Sequence, residues 1–180
     1  MKYSPMKRIF LILILGLFGC ASQKFEPVVS LLKHNVGTWR DEIFHFRVTY
    51  SDVELGTNGF NFTQTMLLQE SEGSYKITSK CSLSLKSLKS SDHEVLINEG
   101  IGKNTLVRIK LSKDLPSPTM SASLETIDSE GKKVVKTAST EELATATEII
   151  DGKEYYVFDI CFPDEESATD WNDSLSKCLK

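Results

Sequence analysis

An alternation of apolar and polar residues with a period of two governs most of this 180-residue chain. Phe44, Phe46, Val48 and Tyr50 alternate with Ile43, His45, Arg47 and Thr49. Phe60, Phe62, Gln64, Met66 and Leu68 repeat the pattern, and Tyr75, Ile77, Ser79, Cys81, Leu83 and Leu85 follow. Val95 and Ile97, then Val107, Ile109 and Leu111, then Met120, Ala122 and Leu124 continue it. Successive side chains of a strand point to opposite faces, so each run has one buried and one wet face. That is the habit of antiparallel sheets.

Turn-forming residues punctuate these runs. Gly56-Thr57-Asn58-Gly59, Glu72-Gly73, Gly100 to Lys103, Asp128 to Gly131 and Asp151-Gly152 each fall between apolar stretches. Asp151-Gly152 is the sharpest, joining Ala144–Ile150 to Glu154–Phe162 as a hairpin. About eight or nine strands at such short spacing predict a barrel or a sandwich. The segment from Ser84 to Ser91 reads as strand end and loop.

The period becomes helical at both ends. Pro27 to Asn35 predicts a short helix with Val28, Leu31 and Leu32 on one side. After Pro163, the acidic Asp164-Glu165-Glu166 suit a helix N-terminus, and Ala168, Trp171, Leu175 and Cys178 recur at helical spacing. That stripe is expected to pack on the outside of the sheet. There is no second domain and no internal repeat.

The first twenty residues are of another kind. Lys7 and Arg8 precede an apolar run from Ile9 to Phe18, well short of the roughly 20 residues a membrane-spanning helix needs. The run closes on Leu17-Phe18-Gly19-Cys20, which resembles the lipobox of a bacterial lipoprotein signal. The resemblance implies cleavage between Gly19 and Cys20 and lipidation of Cys20. Residues 1–19 are then a signal peptide, 20–26 a lipidated tether and 27–180 the folded domain. Met6 would open an equally good signal, so either Met1 or Met6 can be the start. Two or three acyl chains hold a protein firmly where one alone does not. Ala21 and Ser22 lack the acidic mark of inner-membrane retention, so the expectation is a cell-envelope protein on the outer membrane.

Charge narrows the partners. Cleavage removes Lys2, Lys7 and Arg8 and no acid, leaving 18 basic residues against 25 acidic, a net of −7. Such a chain has no electrostatic reason to bind nucleic acid or anionic headgroups. With Cys20 lipidated, Cys81, Cys161 and Cys178 remain. In an oxidising compartment Cys161–Cys178 is the candidate disulfide, while Cys81 on the apolar side of its strand reads as a buried thiol.

Gly37-Thr38-Trp39, after a short helix and at the start of the first strand, is similar to the G-x-W motif of the calycin superfamily. The longer string His34-Asn35-Val36-Gly37-Thr38-Trp39 resembles calycins related to phycobiliprotein lyases. The resemblance implies a mainly β fold: an antiparallel lipocalin-like β-barrel of about eight or nine strands with a short N-terminal helix and a C-terminal helix. It implies that Trp39 plugs the closed end. No position maps onto the chromophore chemistry of the lyases, and an export signal does not suit their cytosolic work.

The barrel interior is the natural ligand site. Trp39, Phe44, Phe46, Phe60, Phe62, Met66, Tyr156 and Phe158 are the candidate cavity-lining residues. Small barrels either fill their interior with side chains or enclose one small ligand. The two functions that follow are a non-catalytic carrier of a small apolar ligand and an envelope interaction module with a filled barrel. His34, His45 and His93 read as surface residues without ligand spacing, His93 in a polar loop, so no metal and no cofactor is expected. No G-x-S-x-G elbow and no Gly-rich phosphate loop appears, so no catalytic residue is assigned and an enzyme is not expected.

Overall fold

Where the sequence alternates, the chain pairs into strands. A computed structural model describes residues 24–40, 45–70, 73–98, 104–128, 130–139 and 147–180. Helix α1 (24–33) leads into β1 (Val36–Arg40), β2 (His45–Gly56), β3 (Gly59–Glu70) and β4 (Gly73–Leu83). Helix α2 (Leu85–Lys89) precedes β5 (Asp92–Asn98), β6 (Asn104–Ser112), β7 (Thr119–Asp128) and β8 (Lys133–Ser139). The chain ends with β9 (Thr147–Ile150), β10 (Lys153–Phe162) and helix α3 (Glu165–Leu179).

The fold is mainly β and antiparallel, with ten described strands in two sheets. The larger sheet has the order β1-β2-β3-β4-β7-β8, the smaller β5-β6-β10-β9. The described strands do not close into one barrel. Ten described strands are one or two more than the eight or nine expected. β1 and β2 pair up to Arg40 and His45, and residues 41–44 between them lie outside the described residues. β8 carries Lys133, Val134, Val135, Lys136 and Thr137, all exposed, so neither of its faces shows the alternation that marks a half-buried strand.

Turn chemistry sets the hairpins as the sequence suggests. Asp151 and Gly152 both take positive φ, 50° and 75°, the backbone of a tight two-residue turn between β9 and β10. The stretch from Ser84 to Ser91, expected as loop, holds α2 instead. Ser84 caps it by accepting the amide of Ser87 at 3.0 Å, and Leu88 is fully buried beneath it.

The core lies where both sheets meet the helices. Ala168, Trp171, Leu175 and Cys178 form the buried face of α3, as their spacing predicts. The stripe does not lie on the outside of a sheet, however. Trp171 stands 6.2 Å from Phe60 of the larger sheet and 5.7 Å from Phe162 of the smaller, and its Nε1 donates to the Val28 carbonyl of α1 at 3.0 Å. An indole in such a place ties four elements together because its apolar body and its one donor are both used. Asp164 caps α3 by accepting the Ser167 amide at 2.8 Å, and that bond holds its carboxyl below the usual range.

Side chains, rather than backbone pairing, join the two sheets. β9 is described as far as Tyr156 along β10, and no described strand lies beside the outward peptide groups of Cys161. Tyr50 Oη accepts the Cys161 amide at 2.7 Å, and Asn35 Nδ2 donates to its carbonyl at 2.7 Å. Gln64 Nε2 donates to Tyr50 Oη at 3.2 Å. At the other end of β1, the Asn104 amide donates to the Arg40 carbonyl at 2.6 Å and accepts the Arg40 amide at 2.8 Å, imitating a peptide of a neighbouring strand. Among the described residues no buried side-chain nitrogen or oxygen lacks a partner.

The candidate disulfide is corrected here. Cys81, Cys161 and Cys178 are all free and buried. Phe162 faces Trp171 and α3, so Cys161, the next residue along β10, faces the opposite way, toward Gly37 of β1. Cys178 sits on α3 and donates its thiol to the Lys24 carbonyl at 2.8 Å. Alternation along β10 keeps the two sulfurs apart.

Burial pushes the thiols of Cys81 and Cys161 from their ordinary 9.0 up to about 12. A group that stays neutral in the fold but ionises on unfolding favours the unfolded chain in alkali. Its contribution to stability is complete below pH 9 and is lost as pH rises toward about 12. Iodoacetamide at pH 8 is expected to leave Cys81 and Cys161 unmodified in the native protein and to label both in denaturant. Labelling of either in the native state at a free-thiol rate would contradict this burial.

Candidate functional site

The inner face of the larger sheet runs from a packed half to an open half. Cross-strand partners share a face, so register alone defines its rows. At the packed end, Leu55, Phe60 and Leu83 form one row and Phe62, Cys81 and Met120 the next. Phe60 lies 5.0 Å from Phe62, and both are buried. Two rows further on stand Val48, Met66, Ile77 and Leu124, then Leu68, Tyr75, Thr126 and Val134.

Coverage falls along and across these rows. Val48 and Leu68 are buried, Met66 and Ile77 half-buried, whereas Tyr75 is 41% exposed, Leu124 36% and Val134 45%. The smaller sheet has four described strands against six, and coverage by the described residues gives out at this corner. An apolar surface continuous with a core and open to solvent marks a place for another apolar body. Lys136 stands beside Leu124 on the edge strand β8 and makes no ion pair with any described residue.

The cavity-lining residues expected from the sequence divide among several places. Phe60, Phe62 and Phe158 are buried in the core. Met66 is half-buried in the open rows. Trp39 pairs with Phe46 across β1 and β2, and both are half-buried on the same inner face. Trp171, at 0% exposure, is buried more deeply than Trp39, for which the motif implied a plug at the closed end. Tyr156 follows Phe158 along the inner face of β10, with its Oη 3.4 Å from Ser117 Oγ and the Lys113 ammonium 5.3 Å from its ring centroid. Phe44 lies outside the described residues, as do Gly19 and Cys20.

Tyr75, Ile77, Leu124 and Val134 were not expected as site residues. Tyr75, Ile77 and Leu124 belong to alternating runs, but alternation names a face without saying which part of it another sheet covers. The histidines take separate places. His34 is exposed, with Nδ1 2.8 Å from the Ser30 carbonyl, and His45 is exposed at the start of β2. His93 belongs to β5 rather than a loop, and its Nδ1 meets Asn172 Oδ1 of α3 at 2.8 Å. Among the described residues no three His, Cys, Asp or Glu side chains could hold a metal together, and no helix is long and apolar enough to cross a membrane.

The charged groups of the smaller sheet serve its outer face. Arg108 makes two bonds of 2.8 Å to Asp159 and one of 3.0 Å to Glu148, spanning β6, β10 and β9. The Asp159 carboxylate raises the Arg108 pKa further, as a fork-to-fork pair should. These ions hold three strands in register and face away from the apolar rows. No family model, no curated protein and no solved structure matches this chain.

Proposed function

We propose that this chain is a lipid-anchored, non-catalytic envelope lipoprotein of lipocalin-like design, whose inner sheet face takes up a small apolar ligand. The observation that carries the reading is the pair of apolar rows leading from Val48 and Leu68 to exposed Leu124 and Val134. A ligand laid along them would be dried by Met66, Ile77 and Tyr75 without any change in the packed half. Cys20 supplies the anchor, and the outer membrane is its expected place. This reading takes the two described sheets as an open form of the barrel, with β8 and β9 each at the end of its strand order. Gly37 packed on β10 supports the G-x-W likeness, because the motif's glycine serves close approach.

A second reading rests on the packed half. Trp171, Phe60 and Phe162 are fully buried, so an interaction module without a ligand would share this core. One experiment separates the two. Residues 1–20 are exchanged for a cleaved secretory leader without cysteine, and the released domain is titrated with the apolar fluorophore N-phenylnaphthylamine. Binding is expected, together with at least tenfold weakening in Leu124→Lys, which leaves the core untouched. An absence of binding in the parent would favour the interaction module. A domain that stays with the membrane after the exchange would refute the Cys20 anchor.

A further inference from the structure

The outer face of the larger sheet carries a second, chemically opposite surface. A groove of about 340 Å³ is lined there by Asp52, Asn61, Thr63, Lys80, Ser82, Thr119 and Ser121, with Phe62 and Cys81 behind it. Register arranges six of these as a grid. Asn61, Ser82 and Thr119 form one row across β3, β4 and β7, and Thr63, Lys80 and Ser121 form the next. Neighbouring strands lie ~4.8 Å apart, a spacing close to the length of a sugar ring.

Asp52 is set into this grid by an irregularity of the backbone. The β2–β3 register shifts between Ser51 and Glu54, and Asp52 takes φ +51° in the bulge. A non-glycine residue in that region is uncommon, and bulges of this kind re-aim a side chain. Its Oδ2 accepts from Thr63 Oγ1 at 3.0 Å and from Ser51 Oγ at 3.3 Å, which orients the carboxylate. Its Oδ1 has no hydrogen-bond partner among the described residues. Ser82 Oγ donates to Asn61 Oδ1, so the Asn61 amide keeps its two donors. The Lys80 ammonium and the Thr119 and Ser121 hydroxyls likewise have no partner among the described residues.

From this arrangement we propose that the groove binds an uncharged oligosaccharide laid across β3, β4 and β7. The lining offers one carboxylate oxygen as acceptor, an amide and an ammonium as donors, and hydroxyls that serve as either. A chain of vicinal hydroxyls needs that mixture. The charges of Asp52 and Lys80 cancel, which gives an anion no net attraction. The grid has no exposed apolar side chain, which gives a hydrocarbon nothing to cover. The fixed Asp52 carboxylate also lowers the ordering needed on binding. This site lies on the opposite side of the sheet from the apolar rows and does not depend on them.

The test uses the full chain, extracted from membranes in a zwitterionic detergent that contains no sugar. Saturation-transfer NMR is recorded with tetra-N-acetylchitotetraose, maltotetraose and inorganic phosphate. At least one neutral tetrasaccharide is expected to receive saturation, with half-saturation in the millimolar range, and phosphate is expected not to displace it. Asp52→Gly removes the carboxylate and suits the positive φ, so it should weaken binding at least tenfold while melting no lower than the parent. Ser121→Trp, which fills the groove from an exposed position, should abolish binding. The proposal is overturned if neither tetrasaccharide receives saturation, if phosphate displaces the sugar, or if both variants bind like the parent.

Discussion

Gly37→Ala is expected to destabilise the fold by about 3 kcal/mol or more, at the upper end of overpacking costs. A Cβ at this position would lie 2.3 Å from the Cys161 carbonyl oxygen, 2.6 Å from its carbon and 3.0 Å from its Cβ. Two of these neighbours are backbone atoms and cannot rotate away. Asn35 and Tyr50 already grip that peptide of β10, so it cannot recede without losing two buried hydrogen bonds. β1 would have to lift instead, and Trp39 would lift with it. Urea denaturation of the parent and the variant measures the effect. Gly56→Ala is the control, because nothing lies within 4 Å of its added Cβ. A loss for Gly37→Ala as small as that of the control would mean that the two sheets do not approach as closely as described.

Trp171→Ala should cost about 3–5 kcal/mol, the range for truncating a large buried aromatic. The side chain is 0% exposed and touches Phe60 and Phe162, so its loss leaves a void bounded by both sheets. Collapse of that void is opposed by the aromatic pair Phe60 and Phe62 behind it. Trp171→Phe separates the two contributions of the indole. It keeps ring contacts and deletes the donor to the Val28 carbonyl, for an expected loss of about 1 kcal/mol. Equal losses in the two variants would assign the whole effect to the hydrogen bond and would contradict the packing account.

The strands were legible in the sequence because a half-buried strand writes its two faces as alternation. Met66 and Ile77 could be placed on inner faces in this way, and α3 could be placed by the spacing of Ala168, Trp171, Leu175 and Cys178. β8 could not, since a strand exposed on both faces has no reason to alternate. α2 was missed because five residues are too few to show a helical period. The depth of Trp39 was also beyond reach. A motif marks where a tryptophan enters a strand, but burial depends on what arrives from elsewhere, and here α3 brings Trp171 to the centre. The free Cys161 has the same cause. Its face could be read by parity, but the element covering that face could not, and β1 covers it rather than α3. The uncovered corner at Tyr75, Leu124 and Val134 follows from the unequal widths of the two sheets, which no single strand records.

The joint between the sheets has a mechanical consequence. Asn35, Tyr50, Gln64 and Asn104 bridge the sheets through side-chain hydrogen bonds, while each sheet keeps its own ladder intact. A spreading motion would break these buried side-chain hydrogen bonds before any strand pairing. The joint along β1 and β10, rather than either ladder, is then what resists a parting of the sheets.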